Sequence, residues 1–208
     1  MARKTSQILP PPLSSSSKPT PRPPTGVTRS WQSIDQFPRA SYTVDIEWPY
    51  LEGHIERQIE SGLDLDPDYQ RSHVWTTEQR VAWLEYVLMG GEVGRRIIMV
   101  CTDWHAFPVP GYSILDGKQR LETVRLFMGG KIRIFGDNSR PDGYLFEDFT
   151  GAFRGLNYSL QWQVTECKTR ADVLRLYLMI NTGGTPHSPE EIARVRALLD
   201  EEIRCGRG

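Results

Sequence analysis

In the stretch Ile114-Leu115-Asp116-Gly117-Lys118-Gln119-Arg120 an apolar pair gives way to Asp-Gly, and Leu121, Val124 and Met128 then follow at helical spacing. The segment therefore reads as a strand, begun at Tyr112-Ser113, that turns without a linker into an amphipathic helix closed by Gly129-Gly130. A helix entered this way leaves its first backbone N–H groups without partners and pointing outward. Those donors and the helix dipole both favour an anion, and glycine at position 117 lets an anion approach the backbone.

The flanking sequence alternates strands and helices on either side of this turn. Upstream, Tyr42 to Trp48 alternates apolar and polar residues as a half-buried strand does, and Pro49 ends it. Leu51, Ile55 and Ile59 mark a short helix, and Leu63-Asp64-Leu65 a brief strand. Thr76 with Gln79 reads as a capping box opening a helix over 77–89, whose Val81, Leu84 and Leu88 face inward. Ile97 to Cys101 is a continuous apolar run suited to a central strand, and 103–110 is a loop.

Downstream, strands are expected at 131–135, 144–149 and 162–166. Two helices close the chain, one over 171–180 with Val173, Tyr177 and Ile180 inward, and one over 189–203. The second is expected to be capped by Ser188, with Pro189 at its first position and Glu191 completing the box. The sum is an α+β domain over residues 41–208: a mixed sheet flanked by helices, with a helical pair at the C-terminus.

Residues 1–40 differ in texture. Up to Ser30 they hold Pro10-Pro11-Pro12, the serines 14–17 and Pro19 to Pro24, with almost nothing apolar to offset ordering entropy, so the segment is expected to be a disordered leader. Its first 30 residues carry Arg3, Lys4, Lys18, Arg22 and Arg29 and no acid, leaving 20 basic against 26 acidic residues elsewhere. A body of that sign is a poor non-specific DNA clamp, so DNA contact is expected through a local patch or the leader. No apolar run approaches the ~20 residues that span a bilayer and no secretory core is present, which points to the cytoplasm and to no membrane partner. Cys101, Cys167 and Cys205 are widely separated, and the four histidines show no ligand spacing, so neither disulfides nor a zinc centre is expected.

Three segments carry chemistry. At the turn, Arg120 offers a bidentate fork to phosphate, Lys118 a mobile charge, and Asp116 a carboxylate suited to Mg²⁺ or to orienting water. Equally, Asp116 suits a plain helix cap with Lys118 and Arg120 in solvent. Tyr69-Gln70-Arg71-Ser72-His73-Val74-Trp75 is too rich in hydrogen-bonding groups to bury unpartnered and suits a cleft wall, with Arg71 directed at phosphate or at Asp116 and Trp75 packed in the core. Asn181-Thr182-Gly183-Gly184-Thr185-Pro186 reads either as helix-ending chemistry or as small groups set against the same ligand.

Pro67-Asp68-Tyr69-Gln70-Arg71 with Val74-Trp75, then Ile114 to Leu121, then Asn181 to Pro186 with Ser188 and Glu191-Ile192, together resemble the N-terminal domain of GmrSD-type restriction proteins, within the ParB/sulfiredoxin-like superfamily. The resemblance implies a nucleotide-binding and often nucleotide-hydrolysing domain allied to DNA restriction and phage defence. It implies Asp116, Gln119 and Arg120 as catalytic residues, with Asp116 as the metal ligand. Gln70, Arg71, Gly117, Lys118 and Arg120 form the implied nucleotide site, supported by Asn181 and Thr182. Lys118 departs from the glutamine usual there, which favours phosphate affinity.

The expected function is thus binding, and hydrolysis, of a nucleoside triphosphate with Mg²⁺. A separate nuclease subunit and DNA are the further expected partners, since no HNH segment is seen before Gly208. The alternatives are a non-catalytic DNA-associated or regulatory module, and a ParB-like nuclease.

Overall fold

The structure, a computed structural model, describes residues 34, 38–70, 74–151, 158–183 and 189–206, and for Thr182 and Gly183 the backbone only. The expected leader and the Ser188 cap lie outside the described residues, apart from residues 34 and 38–40. Residues 37–208 make up one compact unit. It is built on four strands, β1 (Ala40–Glu47), β2 (Arg96–Cys101), β3 (Ser113–Asp116) and β4 (Ser159–Glu166). They lie in the order β1-β4-β2-β3. β1 runs antiparallel to β4, β4 parallel to β2, and β2 antiparallel to β3. The apolar run of β2 is accordingly an interior strand, with Ile97, Met99 and Val100 fully buried.

Helices cover both faces. α1 (Leu51–Glu60), α2 (Thr77–Leu88) and α3 (Lys118–Met128) contribute Leu51, Ile55, Leu84 and Val124 to one apolar cluster, which also takes Ile97, Met99 and Trp162 from the sheet. α4 (Arg170–Gly183) and α5 (Pro189–Arg204) supply Leu174, Tyr177 and Val195 to a second cluster, against Val100 and Leu115. Ile114 and Leu115 thus belong to opposite layers, as alternate residues of a strand must. Burial on this scale, at about 25 cal/mol per Å² of apolar surface, is what holds the layers together.

The Thr76 cap is present as expected: its side chain accepts from Gln79 N while Gln79 Oε1 accepts from Thr76 N at 2.9 Å. Leu63–Leu65 does not form a strand; Asp64 makes a single parallel bridge to Ser113. Two further strands are corrected. Residues 131–135 and 144–149 meet only at the Ile134–Tyr144 bridge, and Phe146–Asp148 is a short 3₁₀ turn. The extended run is broken at Phe135, whose φ is 54°, and by Asp148, whose carboxylate accepts Leu145 N at 2.8 Å.

Ile59, expected inward, is 50% exposed. Spacing of four advances ~40° per step on a 3.6-residue helix, so the third residue of the series has left the face set by Leu51 and Ile55. In α2 the buried residues are Arg80, Leu84 and Val87, with Val81 and Leu88 only partly covered.

Candidate functional site

The site is assembled where β3 ends. Asp116 is still in register with Ile98 of β2, and the chain then reverses at Gly117, whose φ is 96°. A Cβ there would lie 2.7 Å from Ile97 Cδ1 and 3.1 Å from the Arg96 carbonyl oxygen, so both backbone conformation and space demand glycine. α3 starts at once, with no side-chain cap, leaving its positive end at the turn.

Arg120, one turn in, folds back onto Asp116 as an i,i+4 ion pair, and the two side chains are 17% and 28% exposed. Lys118 Nζ lies 2.7 Å from Asp66 Oδ1, so the turn is also tied to the loop before residue 70. Gln70 Nε2 donates to the Leu115 carbonyl at 2.5 Å, and Tyr69 Oη donates to that of Ile114 at 3.1 Å. Burial, ahead of any charge, raises the Tyr69 phenol well above its ordinary pKa. The segment carrying these residues is fixed from the other side by α5, whose Arg194 donates to the carbonyls of Asp68 and Tyr69 at 2.6 and 2.8 Å.

Gln119 faces elsewhere. Its Oε1 accepts from Trp75 N and from Arg80 Nη2, each at 3.0 Å, while Arg80 Nη1 donates to Thr123 at 2.9 Å. Gln119 thereby locks α2 and the residues before it onto α3. Asn181, 5% exposed, donates its amide to the Tyr177 carbonyl of its own helix at 2.8 Å. It stands one turn from Tyr177, a residue near enough to Asp116 to feel its charge. Arg71 and the Thr182 side chain lie outside the described residues.

The structure therefore brings Gln70, Asp116, Gly117, Lys118 and Arg120 together around one turn, with Gln119 bonded to Trp75 and Arg80 behind it. Four contributors were not singled out from sequence. Asp66 pairs with Lys118, and Arg80 holds Gln119. Gly94 lies over Arg120, since a Cβ on it would sit 3.7 Å from Arg120 Nη1 and 3.3 Å from Trp83 Nε1. That indole nitrogen is buried and has no hydrogen-bond partner among the described residues. A signal existed for Arg80, which shares a helical face with Leu84 and Val87 at i+4 and i+7, and an arginine on an apolar stripe needs partners.

Among the described residues no group of three His, Cys, Asp or Glu side chains is placed to hold a metal. Asp116 already carries Arg120 as its counter-charge.

No curated protein and no solved structure matched the chain in comparison. A family model described as GmrSD restriction endonuclease, N-terminal domain, matches residues 53–154, a span running from α1 through the whole β3–α3 turn. The match supports placing residues 53–154 in the GmrSD restriction endonuclease N-terminal domain family.

Proposed function

We propose that the turn at Gly117 binds the phosphates of a nucleoside triphosphate, as part of a module allied to DNA restriction. The carrying observation is the paired state of its cations. Arg120 is held by Asp116 at the uncapped start of α3. A phosphate arriving there would take up helix amides and the guanidinium together, and a polyanion outcompetes one carboxylate for an arginine fork. Lys118 would exchange Asp66 for the terminal phosphate.

Displacement frees Asp116. In hydrolysis the freed carboxylate would orient a water and accept its proton while the water oxygen bonds to the terminal phosphorus. The bond from that phosphorus to the bridging oxygen breaks, giving a nucleoside diphosphate and inorganic phosphate. Gln119 acts as a positioning residue, since its amide oxygen is engaged by Trp75 and Arg80. Magnesium enters as the triphosphate's own counter-ion, consistent with the way this cation keeps few protein ligands. The mixed sheet with helices on both faces supports the wider ParB/sulfiredoxin-like reading.

Calorimetric titration of ATP, GTP and CTP with Mg²⁺ tests the reading. Binding of at least one nucleotide by wild type and its loss in Arg120→Ala is the expected result. Equal heats for both proteins would sink it.

A further inference from the structure

β3 is the last strand in the order and only 4 residues long, yet it carries the Gly117 turn at its end. Its side away from β2 is covered by the segment from Asp64 to Gln70. Asp64 N donates to the Tyr112 carbonyl at 2.9 Å, and its own carbonyl accepts Ile114 N at 3.0 Å. Tyr69 Oη and Gln70 Nε2 then reach the carbonyls of Ile114 and Leu115. The segment is thus a splint along β3 that ends on the residue before Asp116. Being neither helix nor strand, it needs donors from elsewhere for its own carbonyls.

Those donors come from α5. Arg194 Nη1 and Nη2 donate to the consecutive carbonyls of Asp68 and Tyr69, at 2.6 and 2.8 Å. One planar fork meets both acceptors at once, which a lysine ammonium, a single point charge on a flexible stem, does not reproduce. The inward stripe of α5 is also more polar than packing on a sheet requires. Glu191, Arg194, Val195 and Leu198 stand at i, i+3, i+4 and i+7, and Glu191, 4% exposed, accepts the Tyr177 hydroxyl at 2.8 Å.

We propose that Arg194 is a positioning residue for the Asp116–Gly117 turn, acting from α5 through the splint. Its guanidinium fixes Asp68 and Tyr69, their neighbours fix β3, and β3 delivers Asp116 and the start of α3. α5 lies outside residues 53–154, the span that the family match covers, so the turn is completed by a helix beyond that span. A second arginine gives the contrast. Arg170 meets the Asp68 carboxylate at 2.6 Å, but both side chains are more than 40% exposed, and a pair so open to water contributes little.

Amide hydrogen exchange of the full chain, with calorimetric titration of the nucleotide that binds, tests the inference, whose affinity arm rests on the triphosphate reading. Arg194→Met should speed exchange over 64–70 and 112–116 while α2 and β4 keep their protection. Titrations in an Asp66→Asn background, where Lys118 is already released, should show Arg194→Met raising Kd about tenfold, the size of one lost bond to a charged group. Arg194→Lys should fall between, and Arg170→Ala should match its parent in both measurements. Exchange unchanged, or raised equally in α2 and β4, overturns the proposal. So does an affinity indifferent to Arg194→Met. Failure of the wild type to bind any nucleotide sinks the triphosphate reading instead, and the exchange pattern then decides the role of Arg194 alone.

Discussion

Lys118 and Asp66 meet at 2.7 Å beside the Gly117 turn, and the aspartate side chain is 78% exposed. An ion pair so open to water contributes little to folding, about 0–1 kcal/mol, yet it occupies the lysine nearest the uncapped end of α3. Asp66→Asn should therefore leave thermal stability nearly unchanged while tightening triphosphate binding a few-fold. Lys118→Ala should weaken that binding without unfolding the chain. Paired calorimetry and thermal melts separate the two effects, and identical affinities in all three proteins would remove Lys118 from the site.

Arg80 and Gln119 present the opposite case, a bond of 3.0 Å made by an arginine that is 8% exposed. Arg80→Ala strips donors from both Gln119 and Thr123, so a loss of about 2–4 kcal/mol is expected. Gln119→Ala should cost less, and the double variant should fall short of the sum because the residues share one network. Urea denaturation of the four proteins completes the cycle; strict additivity would show that the bond carries no coupling.

At Gly117, alanine would meet Ile97 and the Arg96 carbonyl and would hold a left-handed φ of 96°. The backbone term alone is about 1–3 kcal/mol, and steric overlap adds to it. Gly117→Ala should lower the melting temperature and abolish nucleotide binding together, whereas Gly130→Ala, with nothing within 4 Å, should show only the strain of its positive φ. A Gly117→Ala protein as stable as wild type would contradict the packing.

His54 is 8% exposed, packs edge-on against Trp162 at 4.7 Å, and has an Nε2 with no partner among the described residues. Burial first, then the charge of Arg57, lowers its pKa below the ordinary 6.5. The folded chain thus binds this proton less readily than the unfolded one. The stabilisation is complete above pH 6.5 and is lost as pH falls through the lower folded value. Denaturation midpoints measured from about pH 7.5 down to about pH 5 should decline, and His54→Phe should flatten part of that slope. A slope unaltered by the substitution would place the titration elsewhere.

Much of the molecule was legible from local pattern. Capping chemistry at Thr76 and Gln79, apolar periodicity in α1 to α5, and the unbroken run in β2 each act over a few residues, and each element formed close to the expected bounds. The Asp-Gly bend into α3 was legible for the same reason, since glycine there answers to its own backbone. Where pattern and tertiary context compete, the pattern misled: Phe135 takes a left-handed φ beside the Glu85 carboxylate, which accepts its N–H at 2.6 Å, and the alternating run does not become a strand.

What sequence alone determined, then, is the succession of elements and the identity of the turn, because these are set by neighbours along the chain. What tertiary structure alone decided is which polar groups meet. Arg80 joins Gln119 across 39 residues, Lys118 joins Asp66 across 52, and Arg194 joins Tyr69 across 125. Side-chain partners at such separations are chosen by how helices lie on the sheet, a matter of packed volume and desolvated polar groups that no local spacing encodes.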